Sequence, residues 1–485
     1  MLFNSLEFLV FFPVVTALYF VLPHRVRWLL LLAASCYFYM AFVPIYILIL
    51  GFTIVVDYFA GLAIEKREGK SRKLLLLISL AANIGILFVF KYYNFINENL
   101  TFITGSIGFS NPFPFLDILL PIGLSFHTFQ AMSYTIEVYH RRQKAEHHFG
   151  IYALYVMFYP QLVAGPIERP QNILHQLRER HSFDYTRVKE GLFLMCWGMF
   201  KKVVIADRLA MFVNPVYDSP GDYSSSALIT ASVFFAIQIY CDFSGYSDIA
   251  LGSARVMGFK LMQNFNAPYT SKSISEFWSR WHISLSSWFR DYVYIPLGGN
   301  RVVRWRRYYN LFIVFLLSGV WHGANWTFAL WGLLHAAFII IGLISRKQQE
   351  AISEFLKTKG LSAVNSFGAI AITFTLVTFA WIFFRANNIN DAFYIARASV
   401  SGLPHFSFTS LYGDVTRAGL SSWGFIFSAF LVVFLLTIQT IESGSITEWI
   451  SKKSTAYRWT IYYLIILAMV CFGIYQRSQF IYFQF

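Results

Sequence analysis

From Leu311 to Leu334 the chain reads LFIVFLLSGVWHGANWTFALWGLL, with no Asp, Glu, Lys or Arg anywhere in the stretch. Two apolar runs flank a short polar interruption in which His322 and Asn325 stand among Trp321, Gly323 and Trp326. Uncharged sequence of this length belongs in hydrocarbon, where about 20 apolar residues make one helical crossing. The imidazole of His322 is therefore expected to work away from bulk water.

Composition extends this reading to the whole chain. Of the 485 residues, 57% are hydrophobic and 13% charged, and the mean hydropathy is +0.53. Soluble domains carry roughly a quarter charged residues, so the chain reads as an integral membrane protein. Apolar segments are expected to span at about 6–23, 28–42, 45–64, 74–90, 115–139, 190–215, 225–241, 307–320, 326–345, 365–385, 422–440 and 459–476. The expected fold is all-α and polytopic, with about 11–12 spans in a single membrane-embedded domain over residues 1–485, because a helix satisfies its own backbone in lipid. No repeat, low-complexity tract or linker suggests a second domain.

The net charge of +14 raises nucleic-acid binding, but the basic residues sit in short loops between spans. Retention of Lys and Arg on the cytoplasmic side accounts for them, and no nucleic-acid partner is expected. That rule places Arg25 and Arg27, the run EKREGKSRK (Glu65 to Lys73), HRRQK (His140 to Lys144), Arg304 to Tyr309, Arg346-Lys347 and Lys452-Lys453 inside. The opening MLFNSLEF, which lacks a basic start for a cleaved signal, and the closing QRSQFIYFQF then fall outside. The four cysteines lie in or beside apolar segments without zinc-like spacing, and no metal site is expected.

Two regions depart from the span pattern. In YALYVMFYPQLVAGPIERPQ, Pro160, Gly165, Pro166 and Pro170 interrupt a run too short to cross, which predicts a broken or re-entrant segment beside a cavity. In ISEFWSRWHISLSSWFRDYVYIPLGGNR, residues Phe277, Trp281, Leu285, Trp288 and Tyr292 form one aromatic stripe if the segment is helical. Such a helix is expected at the membrane interface or against the protein body, with His282 beside the stripe.

Intramembrane polar groups point to function by default. His127, His322 and His335 lie in apolar runs, while His282, beside the stripe, reads by itself as a satisfied interfacial histidine. Read as one helix from Trp321 on, Asn325 and Trp326 share the face of His322, and His335 points elsewhere, meeting the pocket only if Gly323 bends the chain. A desolvated, neutral imidazole is suited to take a proton from a hydroxyl. The alcohol so activated attacks a thioester or ester carbonyl, which is acyl transfer. Intramembrane histidines and broken helices also occur in proton-coupled transporters, the rival class.

Four motifs together, YPQLVAGPIERP (Tyr159 to Pro170), YCDFSGYSDIALGSARVMGF (Tyr240 to Phe259), FWSRWHISLSSWFRDYVYIPLGGNR (Phe277 to Arg301) and SGVWHGANWTFALWGLLH (Ser318 to His335), resemble the membrane-bound O-acyltransferase family, in its bacterial polysaccharide branch. The resemblance implies a ring of tilted helices around a central funnel. It implies His322 as the catalytic residue, with His282 as a second position that orients the acyl group or shares proton handling. Trp321, Trp326, Gly323, Asn325, Trp281 and Asp242 are the expected substrate contacts, although Asp242, with Ser244 and Asp248, suits structural hydrogen bonding equally well. The implied activity is transfer of acetyl from a cytoplasmic donor, acetyl-CoA, for O-acetylation of an exported polysaccharide, alginate or an alginate-like exopolysaccharide, with peptidoglycan as the alternative. The implied location is the bacterial inner membrane with both termini periplasmic. Implied partners are membrane lipid, polysaccharide machinery and a periplasmic esterase-like acetyltransferase, since the chain has no G-x-S-x-G elbow of its own.

Overall fold

A computed structural model describes the chain except for residues 119–120, 164, 442–445, 476–479 and 482–485. Among the described residues every regular element is helical. Among the described residues seven helices are long and apolar enough to cross a membrane: Pro44–Lys66, Gly69–Ser106, Ser225–Met257, Trp326–Ile344, Ser362–Arg385, Ser422–Thr440 and Thr455–Phe472. Leu6–Val21 is a shorter apolar helix. The other expected crossings fall on helices that are shorter, broken or more highly charged, such as Leu124–Tyr139 and Arg304–His322. The expected outer location of QRSQFIYFQF rests mostly on residues outside the described ones. Large side chains such as Leu6, Leu9, Val10, Phe52 and Val470 are exposed, as an outer face solvated by lipid tails requires.

The helix contacts group into two compact units, Met1–Cys196 with Tyr246–Met262 and Trp197–Gly245 with Gln263–Phe485. In the first unit, fully buried Asp57 accepts hydrogen bonds from Ser79 Oγ (2.6 Å) and Asn83 Nδ2 (2.8 Å), and Ser79 also reaches Thr135 Oγ1 (3.0 Å). A carboxyl group in an apolar interior is tolerated when its lone pairs are satisfied in this way. The first unit also holds the segment that proline and glycine were expected to break. Helix Phe149–Met157 stops before Phe158, a single turn forms at Tyr159–Leu162, and Pro170 opens the next short turn. A side chain at Gly165 would strike Gln161 Cα and Pro160 O. The backbone of this bend is held by Glu168, whose carboxylate accepts from Met262 N and Asn172 Nδ2, both at 2.5 Å.

The second unit contains the aromatic stripe, and there the expectation of one continuous helix fails. The helix is interrupted: Ile274–Arg280 ends before Trp281, and Ile283–Phe289 starts after His282, whose backbone is left-handed (φ 43°, ψ 54°). Of the two places expected for it, the stripe takes the one against the protein body, with Phe277, Trp281 and Leu285 each 1% exposed. These rings pack on residues distant in sequence, Trp281 against Phe265 at 5.1 Å and Trp381 at 5.1 Å. Periodicity finds such a stripe but does not distinguish a bilayer surface from a protein interior.

Candidate active site

The site is built at the ends of short and interrupted helices of the second unit. The helix Arg304–His322 terminates on His322 itself, because Gly323 turns extended (φ −161°, ψ 151°). Asn325 caps the next helix, Trp326–Ile344, its side-chain oxygen accepting from Thr327 N at 2.9 Å. The two helices pack at glycine-to-glycine distance. An added Cβ at Gly319 would lie 3.3 Å from Gly332 Cα, and one at Gly332 would lie 3.2 Å from Gly319 Cα. Small residues permit this backbone approach in membrane helices.

The break corrects the expected geometry of the WHGANW stretch. His322 closes one helix and Asn325 begins another, so His322, Asn325 and Trp326 do not share a helical face. Trp326 is 58% exposed, and Asn325 donates to Asn387 O at 3.4 Å. The space beside Gly323 is taken by the ring of Phe328, which a side chain at position 323 would strike. The missing side chain at Gly323 therefore makes room for protein packing. The signal for the break, a glycine followed two residues later by an Asn N-cap, was present in the sequence.

His282 and His322 are both buried, and their ring centroids stand 6.5 Å apart. The two positions are 40 residues apart in the chain (322 minus 282) and carried by separate elements. His282 is fixed by neighbouring backbone: Ile283 N donates to Asn264 O (2.9 Å), and Ser284 Oγ donates to Asn264 Oδ1 (2.6 Å). A non-glycine residue held in the left-handed region costs about 1–3 kcal/mol and persists where its surroundings over-determine it. Here that conformation delivers the imidazole to His322.

Aromatic rings wall the pair. Phe243 meets His282 edge-on at 4.6 Å, and His322 contacts Trp321 (4.9 Å), Trp331 (5.0 Å) and Phe384 (5.3 Å). Trp281 stacks behind His282 on Phe277 (5.5 Å, 19°). No group of three or more His, Cys, Asp or Glu suited to a metal occurs among the described residues. In this apolar setting burial pushes the His282 pKa down to about 3, so the ring is neutral at physiological pH and available as a base or acceptor.

Asp242 is engaged by protein on both oxygens. Lys202 Nζ lies 2.5 Å from Oδ1 and 2.9 Å from Asp207, and Ile481 N donates to Oδ2 at 2.8 Å. Lys202 is 1% exposed. Phe480, beside Ile481, packs on Phe243 at 5.7 Å, so this segment adjoins the ring that backs His282. Sequence reasoning missed Phe243, Phe384, Trp331 and Lys202. Two lysines within the expected 190–215 span were a visible signal for Lys202, whereas Phe384 is one aromatic among many in an apolar helix.

The pH dependence of folding tests the burial of His282. An unfolded histidine titrates near 6.5, whereas the folded ring resists protonation until about 3. Between these values the unfolded state binds more protons, so this group's contribution makes stability fall as pH drops from about 6.5 toward about 3. In detergent, the Tm of the wild type should drop more between pH 7 and pH 4 than that of His282→Asn. Parallel Tm-against-pH curves would show that His282 titrates normally.

Among the described residues the fold is helical, and two buried histidines come together in an aromatic chamber, the arrangement expected of the membrane-bound acyltransferase class. The family model for membrane-bound O-acyltransferases matches residues 86–383. The chain belongs to that family and is a multi-pass membrane acyltransferase, which removes the transporter reading. It is 39% identical to a Pseudomonas aeruginosa protein named "Probable alginate O-acetylase", over 89% of this chain and 81% of the relative. It is 35% identical to a peptidoglycan O-acetyltransferase of Helicobacter pylori, over 82% and 80%. It is 27% identical to a teichoic acid D-alanyltransferase of Streptococcus thermophilus, over 56% and 70%.

Proposed function

We propose that this protein moves acetyl from cytoplasmic acetyl-CoA to the outer side of the bacterial inner membrane, for O-acetylation of an exported polysaccharide of the alginate type. The observation that carries the reading is the buried His282–His322 pair, 6.5 Å apart, in a chain 39% identical to a protein named for alginate O-acetylation. The acceptor hydroxyl gives its proton to a ring nitrogen of His322 as its oxygen attacks the thioester carbonyl. The tetrahedral intermediate then collapses, the C–S bond breaks, and the thiolate of CoA takes up the proton. Burial keeps His282 neutral, so it orients the acyl group as a hydrogen-bonding partner without adding charge. Neutral rings on every side exclude the water that would otherwise hydrolyse the thioester.

The charge of the loops sets the orientation. Basic clusters at Glu65–Lys73, His140–Lys144 and Arg304–Tyr309 face the cytoplasm, leaving both termini periplasmic. Arg304, Arg306 and Arg307 carry positive charge suited to the phosphates of CoA or of lipid. Funnels from both faces meet at His322, and a periplasmic esterase-like acetyltransferase receives the acetyl group and esterifies the polymer. The Helicobacter pylori relative supports a second reading, in which the polymer is peptidoglycan.

Inside-out membrane vesicles given radiolabelled acetyl-CoA test the proposal. Label should appear in alkali-labile ester on the lumenal, formerly periplasmic, side and depend on this protein. Label confined to free acetate, or unchanged without the protein, would overturn the reading, and digestion with alginate lyase or muramidase assigns the polymer.

A further inference from the structure

His335 lies on the Trp326–Ile344 helix, fully buried, and is assigned no role by the chemistry above. Its Nδ1 is 3.2 Å from Trp278 Nε1. An indole nitrogen only donates, so Nδ1 accepts and a neutral His335 carries its proton on Nε2. The ring lies nearly parallel to Phe277 (3°) and Phe315 (25°) and edge-on to Trp278 and Trp331, both at 5.0 Å. Two of these contacts lead to the catalytic pair. Trp331 packs edge-on against His322 at 5.0 Å. Trp278 stands four residues before His282, on the helix Ile274–Arg280 that leads into it.

We infer that His335 is a positioning residue that couples the element presenting His282 to the helix pair presenting His322. Through the Trp278 hydrogen bond it holds Ile274–Arg280 against Trp326–Ile344, and through Trp331 it supports the His322 ring. One buried imidazole thereby sets the separation of two histidines that it does not touch. Both partners are required: an aromatic ring alone fills the space, but leaves the Trp278 N–H buried without an acceptor, a state that proteins avoid.

The inference rests on the acetyl-transfer reading for its kinetic arm, and a structural arm stands apart from it. In inside-out membrane vesicles, which keep the periplasmic partner and the polymer, with acetyl-CoA varied and rates taken per unit of this protein, His335→Phe should lower kcat by about tenfold or more, since small misplacements of reacting groups are costly. The KM for acetyl-CoA should stay within about twofold, because ground-state binding is not the interaction lost. His335→Gln, which keeps an acceptor, should recover most of the rate. Trp278→Phe removes the donor from the opposite side and should match His335→Phe, with the double variant no worse than either single one. Additive losses, or wild-type kcat in Trp278→Phe, would overturn the inference, and Trp278→Phe serves if His335→Phe does not fold. In the structural arm, a determined structure of His335→Phe or Trp278→Phe should show the His282–His322 separation changed from 6.5 Å. An unchanged separation sinks the positioning role whatever the acyl donor proves to be, whereas a wild-type enzyme inert toward acetyl-CoA counts against the donor alone.

Discussion

Replacing His322 by alanine should leave the protein in the membrane at its normal level and reduce acetylation of the exported polymer at least about a hundredfold, the usual range for loss of a positioned general base. His322 ends its helix and sits 4% exposed among Trp321, Trp331 and Phe384. Removing the ring leaves a cavity lined by rigid aromatics without stranding a charge, so the structural loss is modest beside the chemical one. The measurement is glycan ester content per unit of membrane protein, taken beside His322→Gln, which retains polar bulk but lacks a basic nitrogen. Both variants should be inactive. Full ester content in His322→Ala would make the histidine structural and move the proton transfer elsewhere.

Lys202→Ala should have the largest effect on stability. Lys202, Asp207 and Asp242 form a buried triad in which one ammonium serves two carboxylates at 2.9 and 2.5 Å. Removing one partner of a buried pair leaves uncompensated charge and costs about 3–5 kcal/mol. Here two carboxylates are left facing each other, so the steady-state level of the protein in membranes should collapse together with its activity. The informative comparison is Lys202→Met combined with Asp207→Asn and Asp242→Asn, which removes all three charges. That variant should regain membrane level, because a neutral, well-packed replacement of an ion cluster is often tolerated. If Lys202→Ala accumulates normally, the triad does not hold the fold together.

The acid Tm slope of His282 and the kinetics of His335 and Trp278 probe the same chamber from other sides. A normal Lys202→Ala with a defective His335→Phe would place the structural weight of the second unit on aromatic packing. The opposite result would place it on the buried charges.

Much of the site was legible as residue identity. His322 stands out because an imidazole inside uncharged sequence is rare, and His282 through its motif, which with the others is long enough to carry a family resemblance. Their apposition was not legible, since it depends on where Ile274–Phe289 breaks and on how closely Gly319 meets Gly332. The reading of WHGANW as continuous helix failed for a related reason. Apolar flanks suggest one helix, while Gly323 and the Asn325 cap divide it into two. The aromatic stripe was found by its periodicity, which left its destination open between the interface and the protein body, because a ring facing lipid and a ring facing other rings have the same hydropathy. Among the described residues seven helices meet the length and composition of a span, and several other expected crossings are shorter or broken helices.

The sequence by itself determined that this is a helical membrane protein, which histidines are candidates for its chemistry and which family it belongs to, because composition, uncharged runs and ordered motifs are properties of the chain alone. Only the tertiary structure decided that His282 and His322 face each other at 6.5 Å, that Phe384 and Trp331 wall the site, and that Lys202 neutralises Asp242. Most of those relations join positions tens of residues apart, and the close packing of helices, rather than local pattern, fixes which of them meet.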